Sequence, residues 1–262
     1  MATTISVLSQ KGGTGKTTTV RTLTDVFRRI GLRVLAVDLD PQGNLSDYLD
    51  IEPDASPTIG DVLSGRAEIR DAIKQSVVPA NLGLAEAELV LGGKMGRELT
   101  MKRALAQVKD DYDLILIDCP PALGLLTVNA LVASDWALLS SQAQYFAMQG
   151  VEQALEVIEL ARDSLNPELK WLGVILNLAD MRTKHSQEAF RSLREHFGEK
   201  LLDTPVRASI AYAESAELAV SIIDHRPDLG ADYLNIADEL LRRLAMPDAR
   251  VKLAELVGTL LG

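Results

Sequence analysis

Between Ser9 and Val20 the chain reads SQKGGTGKTTTV. Glycines at 12, 13 and 15 let a backbone turn with its N–H groups facing inward, which makes an anion nest at a helix N-terminus. In such a nest Lys16 lies along the β- and γ-phosphates of a nucleotide, and Thr17 gives its hydroxyl to Mg²⁺. Gly12, Gly13, Thr14, Gly15 and Thr18 complete the candidate nucleotide loop. One lysine suffices for that chemistry, yet Lys11 stands at the mouth of the loop as well.

Two further phrases carry carboxylates. DLDP puts Asp38 and Asp40 two residues apart at the end of an apolar run, pointing the same way. Asp and Pro also make ordinary solvated turns. Beside a phosphate loop, such an aspartate positions a metal ion or an attacking water. LILIDCPP closes a second apolar run with Asp118, the pattern of an aspartate that holds Mg²⁺, usually through water. Cys119 beside it reads as a small buried residue, because no histidine lies near it in sequence.

These residues must be set by alternating strands and helices. Strands are expected over 5–9, 34–38, 82–85, 114–118, 136–140 and 171–177. Helices are expected over 17–30, 97–109, 149–164, 186–197, 213–220, 231–244 and 249–261, with Thr58 capping a short one over IGDVLSG. Gly31 is a natural stop for the first helix. The expected fold is α/β: a P-loop NTPase fold whose mostly parallel twisted sheet carries helices on both faces. No repeat or long linker divides residues 1–262, so a single domain is expected. Ligands in such sheets bind at the carboxyl ends of the strands, where the loop and the aspartates fall.

Composition excludes several classes. Hydrophobic residues make up 47% of the 262, enough for a sizeable core, and no low-complexity tract suggests disorder. No basic segment precedes an apolar run at the N-terminus, so no signal peptide is expected. No 18-residue apolar run suggests a membrane span. A single cysteine fits a reducing cytoplasm and rules out a multi-cysteine metal site within one chain. The net charge of −10 argues against a surface coated for nucleic acid. The imbalance is uneven: residues 1–169 carry 15 basic against 23 acidic side chains, whereas 170–262 carry 12 against 14. A local basic patch in the C-terminal third is compatible with that.

KGGTGKTT, VDLDPQGN, YDLILIDCPPALGLLTVNAL and QYFAMQGV together resemble the ParA/Soj ATPases of the deviant Walker A (ParA/MinD) group, from Ile5 to about Leu241. The resemblance implies a DNA-segregation ATPase, cytoplasmic and nucleoid-associated, binding ATP or ADP with Mg²⁺. It implies a homodimer in the ATP state, in which two subunits sandwich two nucleotides. Lys11 would then reach the partner subunit's nucleotide, as an arginine finger does. Asp40 matches the family residue that positions the attacking water, and Asp38 one near the Mg²⁺ shell. Asn177 is a candidate for adenine recognition, with Pro205 and Arg207 nearby.

The family's ATP dimer binds double-stranded DNA non-specifically through surface arginines. Arg182 falls on such a position, followed by Lys184, and Arg207 falls near a second. Where relatives read PRNVRLSEA this chain reads PVRASIAYAESAE, so the second arginine is replaced by Ile210 or Ala211. Gln144 stands where relatives commonly carry glutamate. The N-terminal helix-turn-helix domain of longer plasmid relatives is not expected here. A ParB-like or other adaptor protein would stimulate hydrolysis. The same chemistry serves ATPases that position other cargo.

Other members of the wider group fit less well. A MinD-like membrane ATPase ends in an amphipathic membrane helix, and the tail here places Leu253, Leu256, Val257, Leu260 and Leu261 on one side. Membrane helices favour basic polar faces and aromatics. This tail has Arg250, Lys252 and no aromatic residue, so packing on its own domain is expected and membrane binding is not. A nitrogenase-reductase-like carrier needs two cysteines per subunit. A tyrosine kinase of the group would carry a tyrosine cluster. A non-catalytic scaffold is disfavoured by Lys16, Thr17, Asp40 and Asp118.

Overall fold

The computed structural model describes residues 1–144 and 147–261. The chain opens with strand β1 (Thr3–Leu8), helix α1 (Lys16–Arg29) and β2 (Val34–Asp38). Short helices α2 (Asn44–Tyr48), α3 (Ile59–Ser64) and α4 (Ile69–Ala72) lead to β3 (Val77–Val78). Then come α5 (Gly83–Gly92), α6 (Thr100–Ala106), β4 (Leu114–Asp118), α7 (Leu125–Ala133) and β5 (Trp136–Gln142). The last third holds α8 (Ala147–Ser164), β6 (Lys170–Asn177), α9 (Lys184–Phe197), α10 (Ala211–Glu217), α11 (Ile222–His225), α12 (Pro227–Arg243) and α13 (Pro247–Leu261).

The six strands form one sheet in the order β3-β2-β4-β1-β5-β6, and every pairing is parallel. Alternate residues of each strand face opposite layers, which is why the strands read as unbroken apolar runs. Leu35, Val37, Ile115, Ile117 and Leu139 pack against α3, α5, α6, α7 and α8. Val34, Ala36, Leu114, Leu116 and Leu138 pack against α1, α12 and α13. The connections from β1 and from β4 leave in opposite directions, toward β2 and toward β5. A crevice at the carboxyl ends of neighbouring strands follows from that reversal.

The expected α/β class and parallel sheet are found, with some differences in the elements. Residues 82–85 are not a strand: they lie at the start of α5, and the edge strand is Val77–Val78. A four-residue apolar run does not distinguish strand from buried helix. The flanking GLAEAELVLG is rich in helix formers, whereas β-branched VV is not. The helix expected over 97–109 is a 3₁₀ turn at Arg97–Leu99 followed by α6, which ends at Ala106. Thr58 does cap α3, in a reciprocal box with Asp61. In the tail, Leu253 is buried, and Leu256, Val257 and Leu260 pack against the core beside α12; the Leu261 side chain lies outside the described residues. No helix among the described residues is long and apolar enough to cross a membrane.

Candidate nucleotide site

Residues 9–15 link the end of β1 to the start of α1, at the carboxyl end of the sheet. Gly13 and Gly15 adopt φ of 71° and 82°, the left-handed region that the turn needs and that a side chain would strain. Gly15 is doubly constrained, since a Cβ there would lie 3.2 Å from Cγ of Asn177. Within the loop the Lys16 ammonium is folded inward. Its Nζ donates to Ser9 Oγ at 3.1 Å and to the Lys11 carbonyl at 3.3 Å, and the residue is 6% exposed. Burial pulls its pKa below the ordinary lysine value, against the opposing pull of Asp118 and Asp40. The Lys11 side chain, in contrast, is exposed.

The loop is supported from outside as well. Ser9 Oγ donates to the Lys11 carbonyl, and the Thr14 hydroxyl donates to Ser9 Oγ at 2.9 Å. Ser140, in β5, donates to the Thr14 carbonyl at 2.6 Å. From the opposite layer, Tyr233 of α12 meets the Thr19 hydroxyl at 3.2 Å, and that hydroxyl donates to the Gly15 carbonyl.

The carboxylates divide by environment. Asp38 and Asp118 sit side by side in the pairing of β2 with β4, both essentially fully buried. Asp118 Oδ2 accepts from the Thr17 hydroxyl at 2.6 Å, while its buried Oδ1 has no hydrogen-bond partner among the described residues. Burial, reinforced by the neighbouring Asp38, pushes Asp118 up to about 8. Asp38 is fully engaged: Ser46 donates to Oδ2 through its backbone N–H and its hydroxyl, and the Asp40 N–H donates to Oδ1. Burial raises Asp38 to about 6, partly offset by these bonds. Asp40 lies past the strand end, 9% exposed, accepting from the Gln42 N–H. Cys119 is wholly buried and its thiol is pushed up by burial, as suits a packing residue.

An orphaned carboxylate oxygen beside a threonine hydroxyl fits a divalent cation, which would satisfy both. Thr17 and Asp118 are the pair that could hold Mg²⁺. Asp38 would act on that pair from behind, through its charge.

The structure brings Asn177 and residues 205–207 together, as expected. The Val206 N–H donates to the Leu176 carbonyl at 2.8 Å, and the Ala179 N–H to the Val206 carbonyl at 2.9 Å. Asn177 itself is 1% exposed, under the loop. The same pairing sets the 180–184 turn beside Arg207. Arg182 is 90% exposed and forks onto Asp180, at 2.8 and 2.9 Å. Arg207 bonds to Asp232 at 2.9 Å and to the Asp228 carbonyl. Lys184 starts α9, which Thr183 caps. Of the two residues that stand where relatives carry the second arginine, Ile210 is 76% exposed and Ala211 is buried. Gln144 is exposed, and Tyr145 and Phe146 of the QYFAMQGV phrase lie outside the described residues. Sequence reasoning missed Ser9, Ser46 and Ser140. For Ser140 a signal existed, a serine pair following four apolar residues in β5.

Comparison with known proteins agrees with this geometry. A family model described as an AAA domain matches residues 2–171. The sporulation initiation inhibitor protein Soj of Bacillus subtilis is 40% identical over 245 residues, covering 90% of this chain and 97% of Soj. A solved structure of cobyrinic acid a,c-diamide synthase from Mycobacterium smegmatis, with bound ADP and magnesium, is 36% identical. It has a TM-score of 0.76 and covers 86% of this chain and 95% of that one. The apo McdA structure from Cyanothece has a TM-score of 0.82 at 25% identity, over 92% of this chain and 100% of that one. Identity of this extent reaches well past a shared fold: the chain belongs to the ParA/Soj family of P-loop ATPases, a positioning ATPase of the ParA/MinD kind that hydrolyses ATP with Mg²⁺.

Proposed function

We propose that this single-domain ATPase forms an ATP-dependent sandwich dimer that binds DNA non-specifically and is released when a partner protein triggers hydrolysis. The cargo in this reading is a chromosome or plasmid, and the protein works in the cytoplasm on the nucleoid. The observation that carries it is the division between the loop's two lysines. Lys16 is buried among the loop's own oxygens, whereas the Lys11 side chain is exposed at the loop's mouth. A cation that meets phosphate only across an interface stabilises the dimer only when nucleotide is bound.

In this mechanism residues 12–18 cradle the phosphates with backbone N–H groups. Lys16 neutralises the β- and γ-oxygens, and Thr17 and Asp118 would hold the metal ion, which would supply positive charge to the phosphates. Asp40 orients the attacking water; its carboxylate accepts from the Gln42 N–H, and its backbone N–H donates to Asp38 Oδ1. Pro205 and Arg207 border the nucleotide, with Asn177 buried beneath the loop. Arg182, Lys184 and Arg207, drawn together at the end of β6, supply the DNA contacts, and the dimer joins two such half-patches. The acidic remainder of the surface suits a partner with a basic segment.

The test is light scattering with ATP and Mg²⁺ on the wild type and on Lys11→Ala. The wild type should dimerise, and Lys11→Ala should bind ATP yet stay monomeric. An ATP-dependent dimer of Lys11→Ala would overturn the trans-lysine role. A wild-type dimer without salt-sensitive DNA binding would redirect the search to other cargo.

A further inference from the structure

Ser140 is 4% exposed and lies one strand away from the phosphate loop. Its hydroxyl is 2.6 Å from the Thr14 carbonyl oxygen and 2.8 Å from Asn177 Nδ2. A hydroxyl has one hydrogen. The carbonyl can only accept, so that hydrogen goes to Thr14 and the lone pairs face Asn177. This fixes the amide with its nitrogen toward Ser140. The Thr14 hydroxyl continues the path to Ser9 Oγ, which also receives the Lys16 ammonium. A line of hydrogen bonds thus runs from β6 through β5 into the loop and ends on the lysine.

We propose that Ser140 is a positioning residue of the phosphate loop and that Asn177 acts through it, rather than by reading the nucleotide base. The Thr14–Gly15 peptide is held twice. Ser140 grips its carbonyl, and the Asn177 side chain lies against Gly15 closely enough that an added methyl group would come within 3.2 Å of its Cγ. Because a peptide is planar and trans, a carbonyl aimed at β5 turns the Gly15 N–H away from β5. Fixing one end of that peptide therefore fixes a donor of the anion nest. Asn177 Oδ1 is buried without a partner among the described residues, so the amide is kept in place through its donor end and its packing.

The proposal rests on the loop being a phosphate site, not on DNA or cargo. It separates cleanly from base recognition, because a loop support acts on every polyphosphate alike. The test uses the full chain and displaces a fluorescent ATP analogue with Mg–ATP and with Mg–tripolyphosphate, which has no base. Ser140→Ala should weaken both by the same factor, about tenfold for one lost buried hydrogen bond. Ser140→Thr, which keeps the hydroxyl, should restore both. In the Ser140→Ala background, Asn177→Ala should add at most about twofold, since the two residues act in series. Loss of Mg–ATP affinity with Mg–tripolyphosphate unchanged would overturn the proposal in favour of base reading. Unchanged affinity for both ligands, or Ser140→Thr binding as poorly as Ser140→Ala, would also overturn it. A wild type that binds neither ligand would instead refute the phosphate-loop reading beneath it.

Discussion

Asp118 offers a direct test of how the metal pair is arranged. Its carboxyl is buried beside Asp38 and lies at about 8 without ligand. At pH 7 about nine-tenths of the molecules therefore hold a proton there, and at pH 9 about one-tenth do. Holding Mg²⁺ requires the carboxylate. Binding of Mg–ATP at pH 7 should then release about 0.9 proton, falling to about 0.1 at pH 9. Isothermal titration calorimetry in two buffers of different ionisation enthalpy reads that number from the difference in apparent heats. Asp118→Asn should abolish it. The same shift has a stability consequence of definite sign. The folded chain keeps this proton from about pH 4 to about pH 8, while the unfolded chain has lost it. At this site the folded state thus binds more protons across that window, and the contribution of this carboxyl to ligand-free stability falls as pH rises, by about 1.4 kcal/mol per unit. Asp38, raised to about 6, adds to the fall in the lower half of the window. Uptake of a proton on Mg–ATP binding at pH 7, or release undiminished in Asp118→Asn, would refute the assignment of Asp118 as a buried, protonated metal residue.

Two further outcomes follow from contacts at the surface and at the core. Asp180 occupies both prongs of the Arg182 fork, so Asp180→Asn should steepen the salt dependence of ATP-state DNA binding by roughly 0.9 in log–log slope. Being exposed, the pair should change affinity at fixed salt by no more than about fivefold; unchanged slope in a fluorescence anisotropy salt series would remove Arg182 from the contact. Leu253 is 1% exposed between α13 and the core, so Leu253→Ala should cost about 2–5 kcal/mol in urea unfolding while leaving ATP affinity alone. A loss of ATP affinity without a loss of stability would mean that α13 serves the site rather than the core.

The parts legible in sequence were those governed by local physics. β2 and β4 are five-residue runs buried on both faces, and each ends in an aspartate that the sheet then sets side by side. The glycine loop declares itself because its backbone conformation needs glycine. Helix α7, LLTVNALVA, carries no mark in sequence because it is apolar nearly all round, buried between α6, α8 and the sheet, so no stripe shows. β3 is illegible because two valines are too few to outweigh the leucines that follow. The carboxylates on Arg182 and Arg207 were illegible for different reasons. Asp180 is two residues from Arg182, but nothing local says that its fork closes, and Asp232 reaches Arg207 only once α12 has docked. Asn177 is singled out in sequence only by the family resemblance; its hydrogen bond to Ser140 of β5 is visible only once β5 and β6 have paired.

The hydroxyl of Tyr233 touches a threonine 214 positions earlier in the chain, and that threonine grips the loop's last glycine carbonyl. Synthesis runs from the N-terminus, so the loop leaves the ribosome long before the strand and helix that brace it. Until β6 and α12 are made, Ser140 lacks Asn177 and Thr19 lacks Tyr233. The growing chain thus carries the phosphate motif without these two supports until its last third is made.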